Sequence, residues 1–311
     1  MSRRGWALFA AMCVIWGIPY LLIKVAVGEL APATMVLGRT AIGAALLLPF
    51  AIARGKLRGL RAAWLPLVVY TAVEICGPWL LLGFAETRLS SSMTGLLIAG
   101  VPLVGAVLAR WTGGRERLGW LRIAGLGMGL AGVAALVGLD LGSTDAAALA
   151  ALGLVAVGYA IGPMILARQL SHLPGLGVVA ASLALSAVLY LPWGIAQAPH
   201  AWPSARVVAA VAALAVVCTA VAFVLFLQLI AEVGPARATV ITYVNPAVAI
   251  LLGVLVLGEP FTAAIGIGFI LVLGGSVLAT SGSRTGAPVP GEAATAGRGA
   301  ESYGRVPAGG G

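Results

Sequence analysis

One repeat constrains this chain more than anything else in it. The stretch YVNPAVAILLGVLVLGEPFT, Tyr243 to Thr262, sets an Asn-Pro pair inside an apolar run and closes the run with Gly-Glu-Pro. The stretch GVPLVGAVLARWTGGRERLG, Gly100 to Gly119, follows the same plan. Pro246 lies 144 residues after Pro102, Pro163 144 after Pro19 and Arg168 144 after Lys24, while Glu259 lies 143 after Glu116. Gly268 and Gly275 likewise follow Gly125 and Gly132 by 143. A fixed offset over nearly half a chain marks an internal duplication. The expected organisation is two related halves, 1–140 and 141–282, followed by a tail, 283–311.

The halves must lie in a membrane. Of 311 residues, 61% are hydrophobic and 9% charged, against about 25% charged in an ordinary globular chain. The net charge of +9 raises nucleic acid as a partner. However, the Lys and Arg fall in short loops between apolar runs and form no basic stripe, so no nucleic-acid partner is expected. Cys13, Cys76 and Cys218 sit inside apolar runs without metal spacing and read as small core residues. Neither a metal site nor a cofactor motif is read from the sequence.

A membrane helix needs ~20 mostly apolar residues. Spans are expected near 6–27, 31–53, 64–84, 91–109, 119–139, 147–167, 177–197, 207–230, 236–257 and 261–281. Arg3 and Arg4 precede the first, which is too long for a signal-peptide core and is read as an uncleaved helix. With the N-terminus cytoplasmic, the inner segments hold most of the Lys and Arg. The outer loops hold Arg88 and Arg206 beside Glu29, Glu86, Asp140, Asp145 and Glu259. Both termini are then inside. Five helices per half is an odd number, so the second half enters upside down. The expected fold is an all-α integral membrane protein, ten transmembrane helices as two inverted five-helix repeats, a plan found in secondary transporters. The Gly, Ala, Pro and Ser composition after about Ser283 reads as a disordered cytoplasmic tail.

Proline within a helix lacks an N–H and frees the carbonyl four residues earlier. Pro19, Pro78, Pro102, Pro163 and Pro246 would each do so within an expected span. Freed carbonyls in hydrocarbon must face protein or a watery cavity. Four of the five form pairs related by the duplication, so the breaks are expected to line a central path; simple kinks are the bland alternative. Gly125, Gly129 and Gly132, and Gly268 and Gly275, each lie on one helix face. They read as close packing inside the monomer, or as a homodimer face.

Glu74 falls at the middle of the third span. A charge there costs ~2.5–3.5 kcal/mol on insertion scales and marks a pathway, a proton relay or a buried pair. Arg39 and Glu74 lie at similar depths, ~12 and ~15 Å at 1.5 Å per residue. Two readings stay open: an Arg39–Glu74 salt bridge, or a Glu74 that faces a cavity and binds a substrate amine or a proton. Lys24, near a helix end, is expected to snorkel. Asn245 and Tyr243, beside the Pro246 break, either touch substrate or bond across helices. Trp16, Tyr20, Trp79 and Tyr159 lie near the breaks and either wall a pocket or anchor packing.

These residues resemble the EamA family of the drug/metabolite transporter superfamily. The matching features are Trp16-Gly17, Lys24, Pro32, Arg39, the run Ser90-Ser91-Ser92 into Pro102, Glu116, Asn245-Pro246, Gly258-Glu259-Pro260 and Gly268. The likeness covers roughly residues 6–281. The second half departs from it, with Ala160-Ile161 against Trp16-Gly17 and no basic match to Arg39. The resemblance implies secondary transporters, commonly exporters of amino acids, related metabolites or drugs. The expected partners are a small-molecule substrate and membrane lipids, in the plasma membrane. The alternatives are multidrug efflux of lipophilic cations by proton antiport and a non-transport membrane scaffold. There is no GxxxxGK[ST], HExxH or GxSxG stretch, so neither ATP hydrolysis nor an enzyme is expected.

Overall fold

A computed structural model describes residues 1–111, 120–139 and 145–280, and among these every regular element is helical, with no strand. Eight helices are long and apolar enough to cross a membrane: α1 (Arg3–Ala26), α2 (Pro32–Ala53), α3 (Trp64–Glu86), α4 (Ser91–Leu108), then α6 (Ala146–Leu170), α7 (Gly175–Ala196), α8 (Ala205–Val233) and α9 (Thr239–Leu257). Between and after these groups come two further apolar helices, α5 (Trp120–Leu139) and α10 (Ala263–Thr280). Glu116, Asp140 and the tail from 283 lie outside the described residues.

Local chemistry sets the helix ends. Side chains of Ser2, Ser90, Asp145 and Ser204 accept from the first free amides of α1, α4, α6 and α8. Pro32 opens α2 at a position that needs no N–H, and Gly258, at φ +68°, closes α9 in the left-handed conformation that glycine tolerates. Four of the five prolines sit at interruptions. α1 opens at residues 16–18 before Pro19, and α4 opens at Ala99-Gly100 before Pro102. α3 widens into a π-helical turn, Thr71–Cys76, ahead of Pro78, and α9 begins as a 3-10 turn, Thr239–Tyr243, ahead of Pro246. Pro163 differs from expectation, because α6 runs through it without a break and widens only afterwards, at Leu166–Leu170. A π turn re-registers the ladder by one residue, which accommodates a missing donor without opening the helix. α8 carries a further π turn at Val216–Val221.

The main helix pairs are α1 with α8, α2 with α7, α3 with α6, α4 with α9 and α5 with α10. Small residues permit the closest of these. A Cβ on Gly275 would meet the backbone of Gly125 and Gly129, and one on Gly132 would meet Val272. The two glycine faces are therefore spent on each other inside the monomer, where close backbone approach maximises van der Waals contact. Cys13, Cys76 and Cys218 are buried and unpaired. Large apolar side chains cover the outside: Leu255 is 72% exposed and Ile270 70%, a surface suited to lipid and not to water.

At one end of the bundle Glu29, between α1 and α2, accepts from the Ser204 hydroxyl at 2.6 Å and the Ser204 amide at 2.7 Å. These donors, the hydroxyl first, hold its carboxyl below the ordinary 4.5. A depressed folded-state pKa gives stability that is complete above pH 4.5 and is lost as pH falls through the lowered value. Glu29→Gln should therefore melt below wild type at neutral pH, with the gap closing in acid, as read by thermal unfolding in detergent. Gly275→Leu should lower stability by ~1–3 kcal/mol through overpacking, while Ile270→Leu on the exposed face leaves the melting temperature unchanged.

Candidate functional site

Glu74 lies on the widened turn of α3, and glycine on α6 explains how that turn seats. A Cβ at Gly158 would stand 2.5 Å from the Val73 carbonyl, and one at Gly162 would collide with the Glu74 carboxyl. The Gly158-x-x-x-Gly162 stripe thus lets the carboxyl lie directly on the α6 backbone. Glu74 Oε2 is buried with no hydrogen-bond partner among the described residues. Tyr159 and Tyr70 lie close enough to feel its charge.

Arg39 is 5% exposed. Its Nε donates to Thr219 Oγ1 at 2.9 Å, and its guanidinium lies 3.5 Å above the Trp79 ring centroid, the geometry of a desolvated cation–π contact. Among the described residues its only hydrogen bond is to Thr219, and the one ion pair is Arg88–Asp145 at 3.0 Å. The Arg39–Glu74 salt bridge is therefore not formed. Glu74 turns toward α6 while Trp79, five residues on, turns toward α2 and takes the cation. Tyr159 lies beside Trp79 and within reach of the charges of Glu74 and Arg39. Tyr20 completes the group, beside Tyr159 and Arg39. A cation, a carboxyl and three aromatic rings from α1, α2, α3 and α6 thus form one cluster.

The remaining candidates are placed elsewhere. Trp16 packs on Phe226 and Phe223 of α8, with ring centroids 4.6 and 6.1 Å away. Asn245, its amide oriented by its neighbours, donates to the carbonyls of Cys13 and Ile241 at 3.0 Å. The Tyr243 hydroxyl reaches the Ser276 carbonyl at 3.4 Å. Both thus bond across or within helices. Lys24 does not snorkel, because its ammonium donates to the carbonyls of Glu86 and Leu89 at 2.6 and 2.7 Å. Pro78 and Pro246 are buried, Pro19 and Pro102 half-buried, and Pro163 exposed.

Several partners had only weak sequence signals. Ser276 donates to the Ala99 carbonyl at the α4 break, 3.0 Å, and Tyr190 to the Cys76 carbonyl at the α3 π turn, 2.9 Å. Gly158 and Gly162 were legible as a small-residue stripe. Thr219 carried no signal beyond being polar in an apolar run. Glu86, expected in a loop, is instead the last residue of α3 and fully buried.

A profile of the EamA-like transporter family matches residues 3–138 and again 146–281. An uncharacterized inner membrane transporter of Escherichia coli strain K12, YedA, is 32% identical over 258 residues, 81% of this chain and 82% of that protein. A probable terminal-alkyne amino-acid exporter of Streptantibioticus cattleyicolor is 28% identical over 308 residues, 94% of this chain and 99% of its own length. One solved crystal structure shares the fold at TM-score 0.65 and 24% identity, covering 90% of this chain and 98% of its own.

Removing the Thr219 acceptor tests the seat of Arg39. A hydrogen bond to a charged group contributes about 1.5–3 kcal/mol. Thr219→Val should lower unfolding stability by about that much in detergent, whereas Thr219→Ser should retain most of it.

Proposed function

The chain belongs to the EamA-like transporter family, and from that premise we propose that it exports amino acids or related small metabolites by alternating access. One observation carries the reading: a buried guanidinium with no counter-ion among the described residues and a half-buried carboxyl whose Oε2 is buried and unpartnered share one aromatic cluster. A zwitterion complements both, its carboxylate toward Arg39 and its ammonium toward Glu74. The Tyr20, Trp79 and Tyr159 rings would flank its side chain. Buried polar groups need partners, and a substrate carrying both charges supplies them together. The name of the Streptantibioticus relative points the same way.

The proposed frame is ten crossings in two inverted halves, 1–140 and 141–282, in the plasma membrane with both termini cytoplasmic. Three observations support it. α2–α7, α4–α9 and α5–α10 pair each helix with its own repeat, while α1–α8 and α3–α6 exchange, as a pseudo-two-fold requires. The π turns Thr71–Cys76 and Val216–Val221 stand 145 residues apart. The loop charges obey the positive-inside bias. The names of the family and its relatives point to a transporter and away from an enzyme. The second reading, efflux of lipophilic cations against protons, draws on the same Glu74 and aromatic rings. Arg39 disfavours it, since an unpaired cation beside the site repels a cationic substrate.

A sensitive bacterial host expressing the chain should gain resistance to toxic amino-acid analogues. Glu74→Gln and Arg39→Gln, at matched membrane levels, should each lose at least tenfold of that resistance. Resistance confined to cationic drugs, or analogue resistance intact in both variants, would sink the zwitterion reading.

A further inference from the structure

A second polar group lies outside the Arg39–Glu74 cluster, where α3 turns into α4. Glu86 ends α3 with 0% exposure and both carboxyl oxygens unpartnered. Five residues later α4 begins, and Ser91 and Thr94 are also 0% exposed, their hydroxyls unpartnered. Three other buried hydroxyls behave differently, since Thr40, Thr71 and Ser186 return theirs to a carbonyl four residues back, at 2.8 Å each, while Ser182 is unpartnered like these. Of the six unpartnered buried side-chain oxygens among the described residues, four belong to this corner.

Glu259 reaches the same place from the other half, carried by the left-handed turn at Gly258. Its Oε1 accepts from the Ser91 amide at 2.7 Å, and its Oε2 from the Ser92 amide at 3.0 Å and the Ser92 hydroxyl at 2.5 Å. Gly253 of α9 makes the space. The Ser91 and Ser92 hydroxyl oxygens and Glu259 Oε2 all lie within 2.9 Å of where its Cβ would stand. Glu86 feels the charges of both Lys24 and Glu259. The Lys24 ammonium is committed to two backbone carbonyls and forms no ion pair with either carboxylate.

With both carboxyls ionised, two negative charges face one ammonium, and one net negative charge stays in a buried corner of hard oxygen atoms. A bound monovalent cation cancels it, whereas a divalent cation would reverse it. A proton on Glu86 would also cancel it, but one proton cannot occupy the remaining Glu86, Ser91 and Thr94 oxygens. A small metal cation takes lone pairs from several oxygens at once. We propose that Glu86, Ser91, Thr94 and Glu259 form a binding site for a monovalent alkali cation, with sodium its ligand. The ligands come from the α3–α4 corner of one half and the α9–α10 turn of the other, so the ion would tie the halves together at this end. The assignment goes beyond amino-acid export and does not depend on the substrate.

The test uses the purified full chain in detergent, without substrate. Thermal unfolding is followed as sodium chloride replaces choline chloride at constant ionic strength and pH. Sodium should raise the melting temperature saturably, and Glu86→Gln and Thr94→Val should each weaken its apparent affinity at least tenfold. Radioactive sodium binding to immobilised protein gives the same comparison should Glu86→Gln prove unstable, with Thr94→Val as the informative variant. Identical melting in both salts overturns the site. So does a response that follows pH alone, or a sodium response that survives both substitutions. A negative result leaves the drug-panel outcome untouched, so the two readings fail separately.

Discussion

Every opening in a helix frees backbone groups that lipid cannot satisfy, and the rest of the molecule is arranged around meeting them. The Cys13 carbonyl, just before the α1 break, is met by Asn245. The Ala99 carbonyl at the α4 break is met by Ser276, and the Cys76 carbonyl at the α3 π turn by Tyr190. Each donor comes from the second half and each acceptor from the first. The same bonds that make irregular backbone tolerable therefore also hold the halves in register. A polar side chain in this bundle does the work that water does at a soluble helix end.

The buried charges obey a related rule with a different outcome. Among the described residues no carboxylate pairs with Arg39; a ring face and a hydroxyl hold it. Glu74 is set against glycine backbone, away from that cation. An ion pair would have consumed both charges. Among the described residues the two stay unpaired with each other, at a desolvation cost that a structural pair would have reduced. On the proposed reading, this separation is what would let the cluster take a zwitterion.

The family profile matches the chain twice, and the two matched halves carry different chemistry. Thr219 stands 145 residues after Glu74, the same offset that separates the π turns Thr71–Cys76 and Val216–Val221, and Phe223 stands 144 after Trp79. Trp79 takes the Arg39 guanidinium on its ring face, whereas Phe223 packs edge-on against Trp16. At the counterpart of Glu74 a threonine accepts from Arg39. Ionisable chemistry gathers on the first half's copy, and hydrophobic packing on the second's.

The order of residues alone already carried the membrane class, the approximate spans, four of the proline interruptions and the glycine faces of α5 and α10. Each follows from local rules: apolar length against bilayer thickness, a missing N–H, or small side chains at helical spacing. It also placed Glu74 and Arg39 at similar depth, which is a statement about height alone. Which way they turn about their helices was a choice made by the packing of neighbours. That choice rested on Gly158 and Gly162 receiving the π turn, on Trp79 offering its face to the guanidinium, and on Thr219, far away in sequence, supplying the acceptor. Depth is written in one helix, but azimuth is set by the packing of its neighbours. The same reason hid Glu86, which reads as a loop residue beside Arg88 and is sealed by a lysine from α1 and a turn from the other half.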